Sequence, residues 1–105
     1  MDITLLNNSK INMPEKYLND VIRAIEILKA SGCTEIYLFG SIAKGEIRHG
    51  SDIDIAVKGC SPEQFFPVMG KLMTELEHSV DLINLDRKDD FSKYLQEEGD
   101  LLRVS

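Results

Sequence analysis

Two short groups of residues in the middle of the chain have the types and spacing needed to bind a phosphorylated ligand. The pair Gly40-Ser41 is followed, after ten intervening residues, by two aspartates one residue apart, Asp52 and Asp54. A Gly-Ser turn that enters a helix presents unpaired backbone N–H groups to a phosphate, and an aspartate pair supplies carboxylate oxygens to a divalent cation. This combination indicates chemistry on a nucleoside triphosphate.

The phosphate-binding part of this hypothesis rests on Gly40, Ser41 and Lys44. Glycine lets the backbone approach a ligand closely, and the Ser41 hydroxyl adds a donor to a phosphate oxygen. Lys44 lies one turn into the predicted helix, within reach of the same triphosphate. A Gly-Ser pair before a helix is common, so these residues alone are weak evidence for a phosphate site.

The metal-binding part rests on the predicted strand over residues 52–57, in which two aspartates alternate with isoleucines. Successive side chains of a strand point to opposite faces, so Asp52 and Asp54 share one face and can each ligate two Mg²⁺ ions about 3.5–4 Å apart. Asp81 lies inside a second apolar segment, where an unpaired aspartate would be costly, and it is the candidate third ligand. The structural alternative for these aspartates is a turn cap or a solvated strand face.

Helical periodicity predicts two long helices that would pack against these strands. The first begins near Asn12 and Pro14, with Asn12 and Glu15 spaced as a capping box, and ends at Gly32. The second begins at the cap residue Ser61. Its predicted buried stripe consists of Phe65, Phe66, Met69, Leu72, Met73 and Leu76.

Short apolar segments predict strands over residues 35–39, 52–57 and 80–85, with two shorter ones over 3–6 and 101–104. A short helix over 42–47 follows the Gly-Ser turn, and Asp86 is the predicted cap of a last helix that ends near Gly99. The alternation predicts an α/β (α+β) fold, a small mixed sheet with helices packed on it. The length predicts a single domain over residues 1–105.

The two histidines and two of the tyrosines are interpreted as structural and not as functional residues. His49 is expected to be a solvated loop residue, and His78 is expected at a helix terminus. Tyr17 and Tyr94 lie at positions typical of a helix stripe that faces the core.

Composition and charge exclude several classes of protein. The net charge of −6 and the scattered basic residues argue against a stable nucleic-acid partner. The apolar runs are too short to span a membrane, and the N-terminus lacks the features of a signal peptide. Cys33 and Cys60 form no Cys-x-x-Cys pair and are predicted to be reduced thiols. A cytoplasmic protein is therefore expected.

The residues singled out above resemble the signature of the minimal nucleotidyltransferases of the DNA polymerase β-like superfamily. That signature is a Gly-Ser turn, a spacer, an Asp-x-Asp pair and a later single aspartate on another strand. The matching residues here are Gly40-Ser41, Asp52-Ile53-Asp54 and Asp81, with Ala43, Gly45 and Ser51 at small-residue positions. The resemblance covers roughly Asn12 to Val104. Lys44 departs from it, because many members carry arginine there.

The small size of the chain narrows the resemblance to the antitoxins of HEPN/MNT toxin–antitoxin pairs. That resemblance implies a Mg²⁺-dependent enzyme whose three aspartates hold two ions and which transfers AMP from ATP to a tyrosine of a helical HEPN partner. An oligomer is compatible with it. Two alternatives stay open: an antitoxin that neutralises its partner by binding, and a small-molecule nucleotidyltransferase with a separate substrate-binding subunit.

Overall fold

A mixed sheet of four strands organises the chain in the computed structural model, which describes residues 14–48, 50–99 and 101–105. The elements in chain order are α1 (Glu15–Ala30), β1 (Glu35–Leu38), α2 (Gly40–Lys44), β2 (Ile53–Lys58), α3 (Pro62–Glu75), β3 (Val80–Asn84), α4 (Asp90–Glu97) and β4 (Leu102–Arg103). The strand order is β3-β2-β1-β4, with β2 parallel to β3 and β1 antiparallel to both β2 and β4. The predicted fold class is confirmed.

The alternation in β2 divides the sheet into two faces with different surroundings. Ile53, Ile55 and Val57 are fully buried in the main core, which α1 and α3 complete. Ala56 faces the other way and packs in a smaller cluster that includes Leu95 of α4. The second face is therefore covered by α4 around Ala56.

Helix α1 begins later than the capping-box prediction placed it. Pro14 occupies the N-cap position and Glu15 is the first helical residue. Asn12, His49 and the predicted strand over 3–6 lie outside the described residues. None of the described helices is long and apolar enough to cross a membrane.

Helix α3 begins where Ser61 predicted it, but its buried stripe is narrower than expected. Phe66 and Met73 are 75% and 72% exposed, whereas Val68 and Leu72 are buried. Residues seven apart lie on the same side of a helix, so Phe66 and Met73 share a face that points away from the sheet. The prediction that they belong to the core was wrong.

Helix α4 is capped by a different aspartate from the one predicted. The Asp89 side chain accepts a hydrogen bond from the Ser92 N–H at 2.8 Å, whereas Asp86 accepts one from the Gly59 N–H at 2.7 Å. Asp86 therefore fixes the loop after β2. Tyr94 is 54% exposed, which contradicts its predicted core position.

The two cysteines form a disulfide, which corrects the prediction of reduced thiols. Cys33 precedes β1 and Cys60 follows β2, and the antiparallel pairing of Glu35 with Lys58 brings these ends together. The Cα atoms of the two cysteines are 4.1 Å apart. The contact depends on strand pairing between residues far apart in the chain, so no local motif indicated it.

Candidate active site

The predicted catalytic aspartates lie together at one end of the sheet. Asp54 of β2 and Asp81 of β3 are direct partners in the parallel pairing, and side chains at paired positions project from the same face. Asp52 immediately precedes β2, two residues from Asp54. Asp52 and Asp81 are exposed and Asp54 is half-buried. The structure therefore places three carboxylates around one open part of the sheet face.

The Gly-Ser turn adjoins this group through its glycine. Phe39, the last residue before the turn, donates its N–H to the Asp54 carbonyl at 3.1 Å. Gly40 has a φ of +67°, and a Cβ added there would overlap the Asp54 carboxylate and lie 3.1 Å from its carboxyl carbon. Glycine is thus required at position 40 both by the backbone conformation and by the closeness of Asp54.

Helix α2 is one residue shorter than the predicted helix over 42–47 and begins at Gly40 itself. The buried Ile42 anchors it to the core, and Gly45 ends it in the left-handed conformation with a φ of 72°. Ser41 is half-buried in its first turn, beside Gly40, whereas Lys44 is exposed at its end. A role of Ser41 and Lys44 in phosphate binding stays a prediction.

The negative charges of Asp52 and Asp81 repel that of Asp54. Burial raises the pKa of Asp54 above its usual value, and the charges of Asp81 and then Asp52 raise the pKa further. A divalent cation would offset this repulsion, and carboxylate oxygens are the ligands that Mg²⁺ prefers. The donor set therefore fits Mg²⁺. As the side chains stand, no group of three or more His, Cys, Asp or Glu residues in the described ranges is arranged to hold a metal ion.

The raised pKa of Asp54 predicts how pH affects the stability of the metal-free protein. The folded state binds the Asp54 proton more tightly than the unfolded chain, so the free energy of unfolding decreases as pH rises from the ordinary value of 3.8 through the raised pKa. The whole destabilising contribution is present above that range. We expect Asp54→Asn to raise the melting temperature of the metal-free protein at neutral pH.

Thermal unfolding of both proteins across this pH range, in the presence of a chelator, checks the prediction. The advantage of the variant should disappear as pH falls below the unfolded-state pKa of aspartate. Because other carboxylates titrate in the same range, the difference between the two proteins is the quantity to compare. A difference that does not change with pH would contradict the raised pKa of Asp54 in the folded protein.

Three further side chains, those of Tyr17, Asp20 and His78, contact each other or the segments that lead into the site. No sequence pattern indicated these contacts. The Tyr17 hydroxyl bonds to the carbonyl of Ser51, next to Asp52, and His78 pairs with the buried Asp20 of α1. The sequence pattern predicts only a core position for Tyr17 and a helix-terminal position for His78. The contacts span more than thirty positions, so only the fold reveals them.

The chain matches one known protein family over most of its length. Residues 23–104, which include the Gly-Ser turn and all three aspartates, match the family described as "Polymerase beta, Nucleotidyltransferase". Comparison with curated proteins gave no match.

Solved structures of toxin–antitoxin complexes contain chains with a similar fold. A toxin–antitoxin crystal structure with AMP-PNP has a chain 26% identical to this one, with a TM-score of 0.60 over 84% of this chain and 72% of that chain. The MntA–HepT complex has a chain 25% identical, with a TM-score of 0.55 over 79% of this chain and 68% of that one.

A third structure holds a tri-AMPylated Shewanella oneidensis HEPN toxin in complex with an MNT antitoxin. The matching chain is 29% identical, with a TM-score of 0.50 over 70% of this chain and 59% of that one. The family match includes the Gly-Ser turn and the Asp-x-Asp pair, and the sheet places them side by side. On this evidence the chain belongs to the polymerase β nucleotidyltransferase family.

Proposed function

We propose that this protein transfers AMP from ATP to a tyrosine hydroxyl of a HEPN-type partner and thereby acts as the antitoxin of that partner. The observation that carries the proposal is the position of Asp54, between Gly40 on one side and its strand partner Asp81 on the other. This arrangement joins a turn suited to phosphate with carboxylates suited to a divalent cation. Both are needed for nucleotidyl transfer from a triphosphate.

The reaction is an in-line displacement at the α-phosphorus. The acceptor oxygen forms a bond to the α-phosphorus, the bond from that phosphorus to the leaving oxygen breaks, and pyrophosphate departs. When bound by these aspartates, Mg²⁺ would lower the pKa of the acceptor hydroxyl and stabilise charge on the entering and leaving oxygens. Asp52 and Asp54 would hold both ions, and Gly40-Ser41 would bind the β- and γ-phosphates through backbone N–H groups and the Ser41 hydroxyl.

Asp81 is assigned to the acceptor side of the reaction. It would ligate the ion that binds the nucleophile and help to accept the hydroxyl proton. Its side chain is exposed, as is that of Asp52, so a hydroxyl carried by another protein can approach without a rearrangement of the sheet. An acceptor on a protein surface is therefore compatible with this open face.

The structural relatives support the choice of ATP and of a protein acceptor. One of them was crystallised with AMP-PNP, an ATP analogue, and another contains a HEPN toxin that carries three AMP groups. ATP and a partner tyrosine are accordingly the first donor and acceptor to test.

Intact-mass measurement of the partner after incubation with this protein, ATP and Mg²⁺ tests the proposal. We expect the partner's mass to increase by one or more AMP groups, and peptide mapping should place them on tyrosine. An ATP analogue with a methylene bridge between the α- and β-phosphates should give no increase. A stable complex without any mass change would overturn transfer and favour neutralisation by binding alone.

A further inference from the structure

Helix α1 contacts both chain segments that lead into the catalytic strands. Tyr17 and Asp20 lie three residues apart, so their side chains project from the same side of the helix. Tyr17 reaches the loop before β2, and Asp20 reaches the loop before β3. These are the loops that precede Asp52 and Asp81.

The Tyr17 hydroxyl holds the residue directly before Asp52. It donates a hydrogen bond to the Ser51 carbonyl at 2.9 Å and lies 3.5 Å from the Arg48 carbonyl. The Ser51 carbonyl belongs to the same peptide unit as the N–H of Asp52, so this bond restrains the backbone from which the Asp52 side chain projects. Tyr17 itself is 7% exposed and therefore well fixed by its surroundings.

The Asp20 carboxylate holds the loop before β3. Its Oδ2 accepts a hydrogen bond from the His78 N–H at 2.8 Å and lies 2.7 Å from His78 Nδ1, while its Oδ1 accepts one from the Glu77 N–H at 3.3 Å. Asp20 is 6% exposed, and a buried carboxylate is costly unless such partners are present. Asp81 follows His78 by three residues.

The two contacts are coupled to each other. The Tyr17 and His78 rings stack with their centroids 3.8 Å apart and their planes 22° apart. In addition, the Ile53 N–H donates to the Ser79 carbonyl at 2.9 Å, which joins the two loops at the start of the parallel strand pair. Displacement of one loop would therefore be transmitted to the other.

We propose that Tyr17, Asp20 and His78 are positioning residues that fix Asp52 and Asp81 relative to each other for binding of Mg²⁺-ATP. The inference rests on the proposed function. In this role the three residues need no contact with the nucleotide. They act through the backbone of residues 51 and 77–78, which sets where the catalytic carboxylates lie.

Tyr17→Phe is the sharpest test, because it removes the hydroxyl and keeps the stacked ring. We expect the dissociation constant for AMP-PNP with Mg²⁺, measured by calorimetry, to increase about five- to tenfold, the effect of losing one hydrogen bond. Hydrogen exchange at the Ile53 amide, which bonds to the Ser79 carbonyl, should be faster in the nucleotide-free variant.

Tyr37→Phe is the matched control, because it also removes one hydroxyl that takes part in a hydrogen bond. The Tyr37 hydroxyl bonds to Glu35, at the end of β1 opposite to Gly40. This variant should bind AMP-PNP as tightly as the unaltered protein. If Tyr17→Phe also retained full affinity and showed only a lower melting temperature, the role of Tyr17 would be structural and the proposal would be overturned.

The His78 side of the network has its own rescue experiment. His78→Ala keeps the backbone bonds to Asp20 but removes the side-chain contact from Nδ1 and the stacking on Tyr17, and it should weaken AMP-PNP binding. His78→Asn supplies a side-chain N–H close to the position of Nδ1 and should restore part of the affinity. Equal affinity of these two variants would contradict a positioning role for this contact.

Failure of the proposed function can be told apart from failure of this inference. If the unaltered protein does not bind AMP-PNP with Mg²⁺, the proposed function fails, and hydrogen exchange still decides about the network. Faster exchange at the Ile53 amide in Tyr17→Phe but not in Tyr37→Phe would support positioning, and equal exchange would refute it.

Discussion

Asp54→Asn is expected to reduce AMP transfer by about 100- to 1,000-fold or more, which is the usual cost of removing one group that stabilises transition-state charge. Asp54 lies between Gly40 and Asp81, so its carboxylate is the one best placed to serve both the triphosphate and the cation. Asparagine keeps the shape of the side chain and removes only the charge. The measurement is the rate of appearance of AMP-modified partner under saturating ATP and Mg²⁺.

The same substitution should have opposite effects on binding and on stability. A ligand that binds only the folded protein stabilises it by RT ln(1 + [L]/Kd), about 2.7 kcal/mol at a hundred times Kd. ATP with Mg²⁺ should therefore raise the melting temperature of the unaltered protein but not that of Asp54→Asn. At neutral pH the metal-free variant should be more stable than the parent, because it avoids the cost of a half-buried charge and the repulsion from Asp81 and Asp52.

Asp90→Asn is the matched control for this experiment. Asp90 is an exposed aspartate at the start of α4, so the substitution makes the same change in net charge without touching the site. It should retain both transfer and the thermal shift. If Asp54→Asn retained an undiminished shift with ATP and Mg²⁺, the assignment of Asp54 as a metal ligand would be wrong.

Local patterns predicted the parts of the site that lie within one element. The alternation of aspartate and isoleucine in the strand over residues 52–57 predicted that Asp54 projects from the face opposite to Ile53 and Ile55, and the buried positions of both isoleucines confirm this. The Gly-Ser turn was correctly placed at the end of a buried strand, β1. Side-chain periodicity follows from backbone geometry alone, which is why these features can be inferred from sequence.

Contacts between distant elements could not be predicted in the same way. The register that pairs Asp54 with Asp81 depends on a parallel connection through α3, and the sequence does not specify which strands become neighbours. The Cys33–Cys60 disulfide and the contact between Tyr17 and Ser51 depend on the same topology. Such contacts are properties of the assembled sheet.

The exposure of Phe66 shows a second reason why the sequence did not predict the whole fold. Helix α3 has apolar residues around more of its circumference than the sheet can cover, and Val68 and Leu72 take the buried positions. Periodicity identifies an apolar stripe, but its width depends on what packs against it. The sequence alone therefore overestimated the core.

Gly40→Ala is expected both to destabilise the protein and to impair AMP transfer. An alanine at a φ of +67° costs roughly 1–2 kcal/mol from backbone strain. The added Cβ would also overlap the Asp54 carboxylate, so that either Asp54 or the end of β1 must move. Overpacking of this kind costs about 1–3 kcal/mol in addition.

Transfer should fall by about a hundredfold, because a misplacement of roughly 1 Å at a reacting group can have an effect of that size. Gly32→Ala is the control that separates the effect of backbone strain from the effect of overlap with Asp54. Gly32 has a φ of +93°, and a Cβ added there meets no atom within 4 Å. The control therefore has the backbone strain without the steric conflict and should retain full transfer activity.

A double-mutant cycle for stability with Asp54→Ala completes the test. Removal of the Asp54 carboxyl group removes the two closest contacts of the methyl group of Gly40→Ala. The Asp54 Cβ stays 3.5 Å away, which is an ordinary contact distance. The destabilisation caused by Gly40→Ala should then fall to that caused by Gly32→Ala, as measured by chemical denaturation. If it stayed the same in both backgrounds, the glycine would be needed for the backbone conformation alone. The close approach of the turn to the catalytic carboxylate would then place no steric requirement on position 40.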